Sequence, residues 1–215
     1  MEHEEEIATP HGRVTTITEA PGTDAPAIVL LAHGAGAGQR HPWMIAMRGA
    51  LVGRGLAVMT FDYAYMEAGR KAPDRLPKLL DVHEAVATSA AERGVPVIIA
   101  GKSMGGRVGG HLVAERGFRA RAVAYLGYPL VAMGKTEPRD TSHLDGIVVP
   151  QAFISGDRDR LGPIDLVRAV ADRVPNGAVT AIETGDHSLK PLKASGRTVE
   201  DSIDTAAAVI RDLVV

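Results

Sequence analysis

The stretch Val95-Pro96-Val97-Ile98-Ile99-Ala100-Gly101-Lys102-Ser103-Met104-Gly105-Gly106 decides the reading of this chain. A short apolar run ends in Gly-x-Ser-x-Gly and passes straight into a segment that can be helical. That is the layout of a nucleophile elbow, a sharp strand-to-helix turn that lifts a serine hydroxyl clear of the backbone. Ser103 is expected in a strained conformation, and a side chain two residues before or after it would strike the neighbouring strand or helix. The turn also sets Ser103 at a helix N-terminus, where amide groups and the helix dipole favour developing negative charge.

Outward from this turn, apolar strands alternate with helices. Residues 13–19 alternate like an edge strand, and 27–32, 56–61, 96–100, 120–126, 147–154 and 178–182 read as strands. Helices are expected over about 42–54, 74–92, 104–116, 163–173 and 199–213, the first opened by Pro42. The pattern predicts a three-layer α/β/α architecture, a mostly parallel, doubly wound sheet covered on both faces. Residues 1–10 are expected to form a mobile tail and 11–215 a single domain.

The composition narrows the field. Of 215 residues, 45% are hydrophobic and 23% charged, which fits a globular protein with a sizeable core. A net charge of −2 favours neither nucleic acid nor an anionic membrane. The absence of cysteine excludes disulfides, thiolate metal sites and a cysteine nucleophile. The acidic start lacks the parts of a signal peptide, and no apolar run reaches the roughly 18 residues a membrane span needs, so a cytoplasmic location is expected.

A serine hydroxyl needs a base, ordinarily a histidine oriented by a carboxylate. In such sheets ligands gather at the carboxyl ends of strands. Two later strands end in Ser155-Gly156-Asp157-Arg158-Asp159 and in Thr184-Gly185-Asp186-His187-Ser188. The order Ser, Asp, His and the placement at strand ends nominate Ser103, Asp159 and His187 as a triad. Asp159 lies far enough past Gly156 to reach the histidine, with Asp157 in reserve; either acid can instead cap the following helix. An oxyanion needs two aimed N–H donors. One falls to Met104 and the other to Ala35, with Gly36 as the alternative, in the loop His33-Gly34-Ala35-Gly36. His33 is expected to brace that loop.

The chain resembles the α/β-hydrolase superfamily over nearly its full length, and within it the small lidless bacterial hydrolases of the dienelactone-hydrolase-like type. The residues carrying the resemblance are the loop from His33 to Gly38, Phe61-Asp62-Tyr63-Ala64-Tyr65-Met66-Glu67, the elbow itself, Gly127-Tyr128-Pro129-Leu130, Gly156-Asp157-Arg158-Asp159 and Gly185-Asp186-His187-Ser188-Leu189-Lys190. It implies hydrolysis of an ester or related acyl bond through an acyl-serine, without cofactor or metal. True dienelactone hydrolases use a cysteine nucleophile, and this chain has serine. Lids in this fold enter after the strand that follows the elbow helix; residues 129–146 leave no room for one. The open mouth suits a small soluble substrate. Trp43, Met44, Tyr63, Tyr65, Met66, Tyr128 and Met133 are available as walls or as core. Arg70, Lys71, Arg75, Lys135, Arg139, Arg158 and Arg160 suggest a positive rim for a carboxylate- or phosphate-bearing acyl ester, against the plainer reading of a solvated face balanced by Glu67, Asp74 and Glu137. Tyr65, Arg70, Lys71 and Tyr128 are the substrate-binding candidates.

Other readings fare less well. Gly34-Ala35-Gly36 followed by Asp62 imitates a dinucleotide site, but Gln39 holds the third glycine position and Pro42 falls where the helix should already run. A phosphate loop would need glycine at 96, which is proline. No His-Glu-x-x-His pattern supports a metal hydrolase. A non-catalytic binding module on the same scaffold, or a thioesterase or acyltransferase using the same triad, remains the alternative. The sequence leaves the oligomeric state open.

Overall fold

A computed structural model describes residues 2–22 and 24–214. The strands are β1 (Glu2–Thr9), β2 (Gly12–Glu19), β3 (Ile28–Ala32), β4 (Ala57–Phe61), β5 (Val97–Lys102), β6 (Ala122–Leu126), β7 (Gln151–Gly156) and β8 (Gly177–Ile182). The helices are α1 (Pro42–Val52), α2 (Ala64–Glu67), α3 (Leu76–Ala91), α4 (Met104–Arg116), α5 (Ile164–Arg173) and α6 (Val199–Asp212). All eight strands form one sheet in the order β1-β2-β4-β3-β5-β6-β7-β8. The pairings β1–β2 and β2–β4 are antiparallel, and every other pairing is parallel.

The central strands read as unbroken apolar runs because both faces are covered. The period of two sorts their side chains. Ile28, Leu30 and Ala32 of β3, with Val97 and Ile99 of β5, pack with α3, α4 and α5. Val29 and Leu31, with Ile98 and Ala100, pack against α1 and α6. The parallel strands β4, β3, β5, β6, β7 and β8 therefore all deliver their carboxyl ends to one edge, with β5 in the middle of the sheet.

The expected tail is corrected. Residues 2–9 form an edge strand, paired along its whole length with β2 from Glu2↔Glu19 to Thr9↔Gly12. The turn is tight: Thr9 Oγ1 donates to the Gly12 carbonyl at 2.6 Å, and Gly12 takes φ 106. The glutamates of the acidic start are neutralised by arginines, most of them from distant segments. Glu2 and Glu19 both reach Arg48, at 2.8 and 3.0 Å, and Arg48 is only 5% exposed. Glu6 meets Arg13, Glu4 meets Arg40 and Glu5 meets Arg93. Except for Arg13, these partners are remote in sequence, so no local pattern announces them.

Smaller differences have local causes. Pro150 cannot donate to a ladder, so β7 begins at Gln151 rather than 147, and Ser142–Gly146 is a short 3₁₀ turn. Pro77 occupies the first turn of α3, which starts at Leu76 rather than 74. No lid is inserted between β6 and β7. No helix among the described residues is long and apolar enough to cross a membrane.

Candidate active site

Ser103 is the hinge between β5 and α4, with φ 50 and ψ −113. This left-handed backbone is rare for a residue with a side chain and marks stored strain. The glycines on either side permit it. A Cβ at Gly101 would lie 2.3 Å from the backbone of Gly105 and Gly106, and one at Gly105 would lie 2.6 Å from the carbonyl oxygens of Ala32 and His33. The start of α4 thus packs directly on the end of β3 and the loop that follows it.

His187 reaches Ser103 from the loop after β8. Its Nε2 lies 2.8 Å from Ser103 Oγ, and its Nδ1 lies 2.7 Å from Asp159 Oδ2. The second oxygen of Asp159 accepts from the Leu161 amide at 2.8 Å. The carboxylate is fully enclosed, whereas the imidazole side chain is 24% exposed. An ionised Asp159 can only accept, so Nδ1 carries the ring proton and Nε2 is left to accept from the serine hydroxyl. Asp157, the reserve candidate, is exposed at the surface.

The histidine loop is held on two sides. Asp186 Oδ1 accepts from the amides of Ser188 (2.8 Å) and Lys190 (3.0 Å), and its own amide donates to the Lys190 carbonyl at 3.0 Å. From the other side, Trp43 Nε1 of α1 donates to the Ser188 carbonyl at 2.9 Å.

The loop after β3 is braced by His33, as the sequence suggests. His33 Nδ1 lies 2.7 Å from the Gly34 carbonyl, and its Nε2 accepts from the Tyr63 amide at 3.2 Å. These partners fix a neutral ring with its proton on Nδ1, and burial pushes its pKa below the usual value. The Gly36 amide is directed at Tyr65 Oη, 3.4 Å away. Ala35 faces the space beside Ser103 together with Met104. Met104 opens α4, so its amide is one of the first-turn donors without an intrahelical partner.

Two hollows meet at Ser103. One, of about 290 Å³, is lined by Ala35, Met104, Arg107, Leu161 and Arg139 among others. The second, of about 350 Å³, is lined by Ala35, Trp43, Lys102, Leu161 and His187 among others. Met133, 85% exposed, overhangs both. Lys102 Nζ sits 5.4 Å from the centroid of the Trp43 ring, and burial holds its pKa below that of an ordinary lysine. Among the described residues no group of three His, Cys, Asp or Glu side chains could hold a metal ion.

The structure gathers Ser103, Asp159, His187, Met104 and Ala35 in one place. It does not gather the substrate-binding candidates, and none of those four lines either hollow. Tyr65 is fully buried and props the Gly36 amide. Tyr128 is 1% exposed, with its hydroxyl 3.3 Å from His143 Nε2. Arg70 is exposed and bound to Asp74 at 2.8 Å, and Lys71 is exposed on the same loop. Of the other suggested wall residues, Trp43, Met44 and Met133 line the second hollow, while Tyr63 belongs to the core and Met66 packs against it. Arg139 is the one rim cation that lines the first hollow; Arg158 and Arg160 flank a separate depression behind His187. Arg107 and Lys102 are the residues sequence reasoning missed. Arg107 could have been found from its position four residues after Ser103, one turn along α4 and so on the same face.

A family model described as alpha/beta hydrolase domain matches residues 25–215. No curated protein matches the chain by sequence. Among solved structures, XC6422 of Xanthomonas campestris, described as an a/b serine hydrolase without lid, superposes with a TM-score of 0.79 at 17% identity, covering 98% of this chain and 94% of that one. A dienelactone hydrolase of Anabaena variabilis gives 0.78 at 19% identity, with 99% and 95% covered. Est1E of Butyrivibrio proteoclasticus gives 0.77 at 16% identity, with 98% of each chain covered. The likeness to these structures is one of fold. With a family match running from just before β3 to the end of the sequence, the chain belongs to the alpha/beta hydrolase domain family.

Proposed function

We propose that this chain is a serine hydrolase that cleaves a small soluble ester, or a related acyl bond, through an acyl-serine intermediate. The observation that carries the reading is the unbroken relay Asp159–His187–Ser103, with contacts of 2.7 and 2.8 Å. His187 Nε2 takes the hydroxyl proton as Ser103 Oγ attacks the acyl carbon. Asp159 keeps the ring in the required tautomer and stabilises the imidazolium. The amides of Ala35 and Met104 receive the developing oxyanion. Gly36 is the weaker candidate for that task, because its amide is directed at Tyr65. His187 then returns the proton to the leaving oxygen, and water repeats the sequence in reverse to free the acid. The modest, open hollows and the absence of an inserted lid favour a small substrate over a lipid assembly.

A fluorophosphonate probe tests this directly. Labelling at Ser103 that disappears in Ser103→Ala, with turnover of activated esters reduced by about 10⁴-fold or more, is expected. An unlabelled, inactive wild-type protein would mean a binding module on a hydrolase scaffold. A parallel panel of thioesters and acyl acceptors separates ester hydrolysis from thioester cleavage and acyl transfer, which would use the same triad.

A further inference from the structure

We propose that Arg107 and Arg139 form a carboxylate-binding subsite for the acyl half of the substrate, so that the enzyme prefers monoesters of short dicarboxylic acids over neutral esters. The inference rests on the acyl-serine reading above and adds the orientation of the substrate. Ser103 and Ala35 line both hollows, but His187 lines only the second. The imidazole must protonate the leaving oxygen, so the leaving alcohol occupies the second hollow. The acyl chain is then directed into the first, beside Met104, towards Arg107 and Arg139.

The first hollow combines two arginines, one aspartate and otherwise mostly apolar side chains. Leu76, Leu79, Pro129, Val131 and Leu161 supply apolar wall. Arg107 is an unspent cation: its Nε is buried without a hydrogen-bond partner, and neither it nor Arg139 is ion-paired among the described residues. A guanidinium N–H that has lost water without gaining a partner is costly, and a carboxylate drawn to the half-buried guanidinium would offset that cost with charge-assisted N–H···O bonds. Burial also disfavours its charged form and the neighbouring Arg139 adds to this, which increases the gain from an incoming anion. The acids nearby are otherwise engaged. Asp74, in the same lining, is ion-paired with Arg70 at 2.8 Å and Lys78 at 3.3 Å, its buried Oδ2 meeting the lysine by charge without a hydrogen bond. Glu115 of α4 is 2.8 Å from His111 Nδ1. Arg107 stands four residues past the nucleophile, about 6 Å along the helix axis, which fits dicarboxylates on the order of four to six carbons. In the balanced reaction, Ser103 Oγ bonds to the esterified carbonyl carbon and the alcohol leaves with the proton from His187. Water then releases the free dicarboxylate, whose distal carboxylate is unchanged throughout.

The test compares monoethyl succinate, glutarate and adipate with ethyl butanoate, pentanoate and hexanoate, following released ethanol. The measured quantity is the ratio of kcat/KM for each charged ester to that for its neutral counterpart. The wild-type ratio is expected to exceed about 10. It should fall at least about 10-fold in Arg107→Gln and about 3-fold or more in Arg139→Gln, recover in part in Arg107→Lys, and decline with added salt. A wild-type ratio at or below one, or ratios unmoved by the substitutions, overturns the subsite while leaving the hydrolase standing. Absence of turnover for both ester classes, together with an unlabelled Ser103, overturns the hydrolase reading instead. Should Arg107→Gln fail to melt cooperatively, the wild-type ratio and the exposed Arg139→Gln variant decide the matter.

Discussion

Gly105→Ala tests whether the contact between α4 and the end of β3 sets the geometry of the site. The added methyl would sit 2.6 Å from the carbonyl oxygens of both Ala32 and His33. Carbon atoms do not settle closer than 3.0 Å in such contacts, so the helix or the loop must retreat by at least the difference, 0.4 Å. Both obstacles are backbone, and neither can rotate aside. Overpacking of this kind costs about 2 kcal/mol, which in a chain of this size lowers Tm by about 4–8 °C. The catalytic loss should be larger than the stability loss suggests. The retreat moves Met104 away from Ala35; a displacement of about 1 Å at such a site costs on the order of 100-fold, so a shift of about half that size should cost roughly 10-fold. Thermal melts followed by circular dichroism, with kcat/KM on an activated ester, give both quantities. A variant with lowered Tm but unimpaired kcat/KM would refute the claim that this packing positions the oxyanion donors. A variant unchanged in both would refute the contact itself.

Asp159→Asn should reduce kcat by about 10³- to 10⁴-fold, because an amide can present its NH₂ to Nδ1 and leave the wrong tautomer, whereas Asp157→Asn on the exposed side of the same loop should stay within about twofold; equal losses would reverse the assignment of the acid. His83, fully buried against Tyr63, has its pKa lowered to about 3 by burial. The unfolded chain binds that proton near the ordinary 6.5, so stability is complete above about pH 6.5 and is lost as pH falls toward 3, by up to about 1.4 kcal/mol per pH unit. In urea titrations between pH 6 and 4, His83→Gln should show a shallower slope than wild type, with His33 and His143 supplying the remainder; identical slopes would remove His83 from the account. Deleting residues 2–9 should lower Tm, since it bares the β2 edge and leaves Arg48 without Glu2, yet spare fluorophosphonate labelling because β1 lies four strands from β5. An unchanged Tm would return that segment to the status of a tail.

The parts of the molecule legible in its sequence are those whose causes are local. The β5–α4 turn could be read because glycine at 101 and 105 is a backbone requirement, and the central strands because burial on both faces leaves long apolar runs. The choice of Asp159 over Asp157 followed from loop reach; Asp159 Oδ2 lies 2.7 Å from His187 Nδ1, whereas Asp157 is exposed. What escaped depends on partners far away in the chain. β1 read as a mobile tail because the arginines that pair with its glutamates, Arg40, Arg48 and Arg93, are contributed by other parts of the chain. The aromatic candidates failed for a related reason. Tyr65 on α2 and Tyr128 on the loop after β6 sit at the right edge of the sheet, but their rings turn inward to the core, and their hydroxyls touch the polar framework under the site.

The indole of Trp43 has two neighbours with different interests. One side of it bounds the hollow assigned to the leaving alcohol, and its N–H tethers the Ser188 carbonyl, next to His187, the proposed base. An alcohol too bulky for that space pushes on the ring, and the push pulls on the backbone carrying His187. Oversized substrates would then dock but turn over slowly, so selection by size would show in the rate of the chemical step more than in the strength of binding.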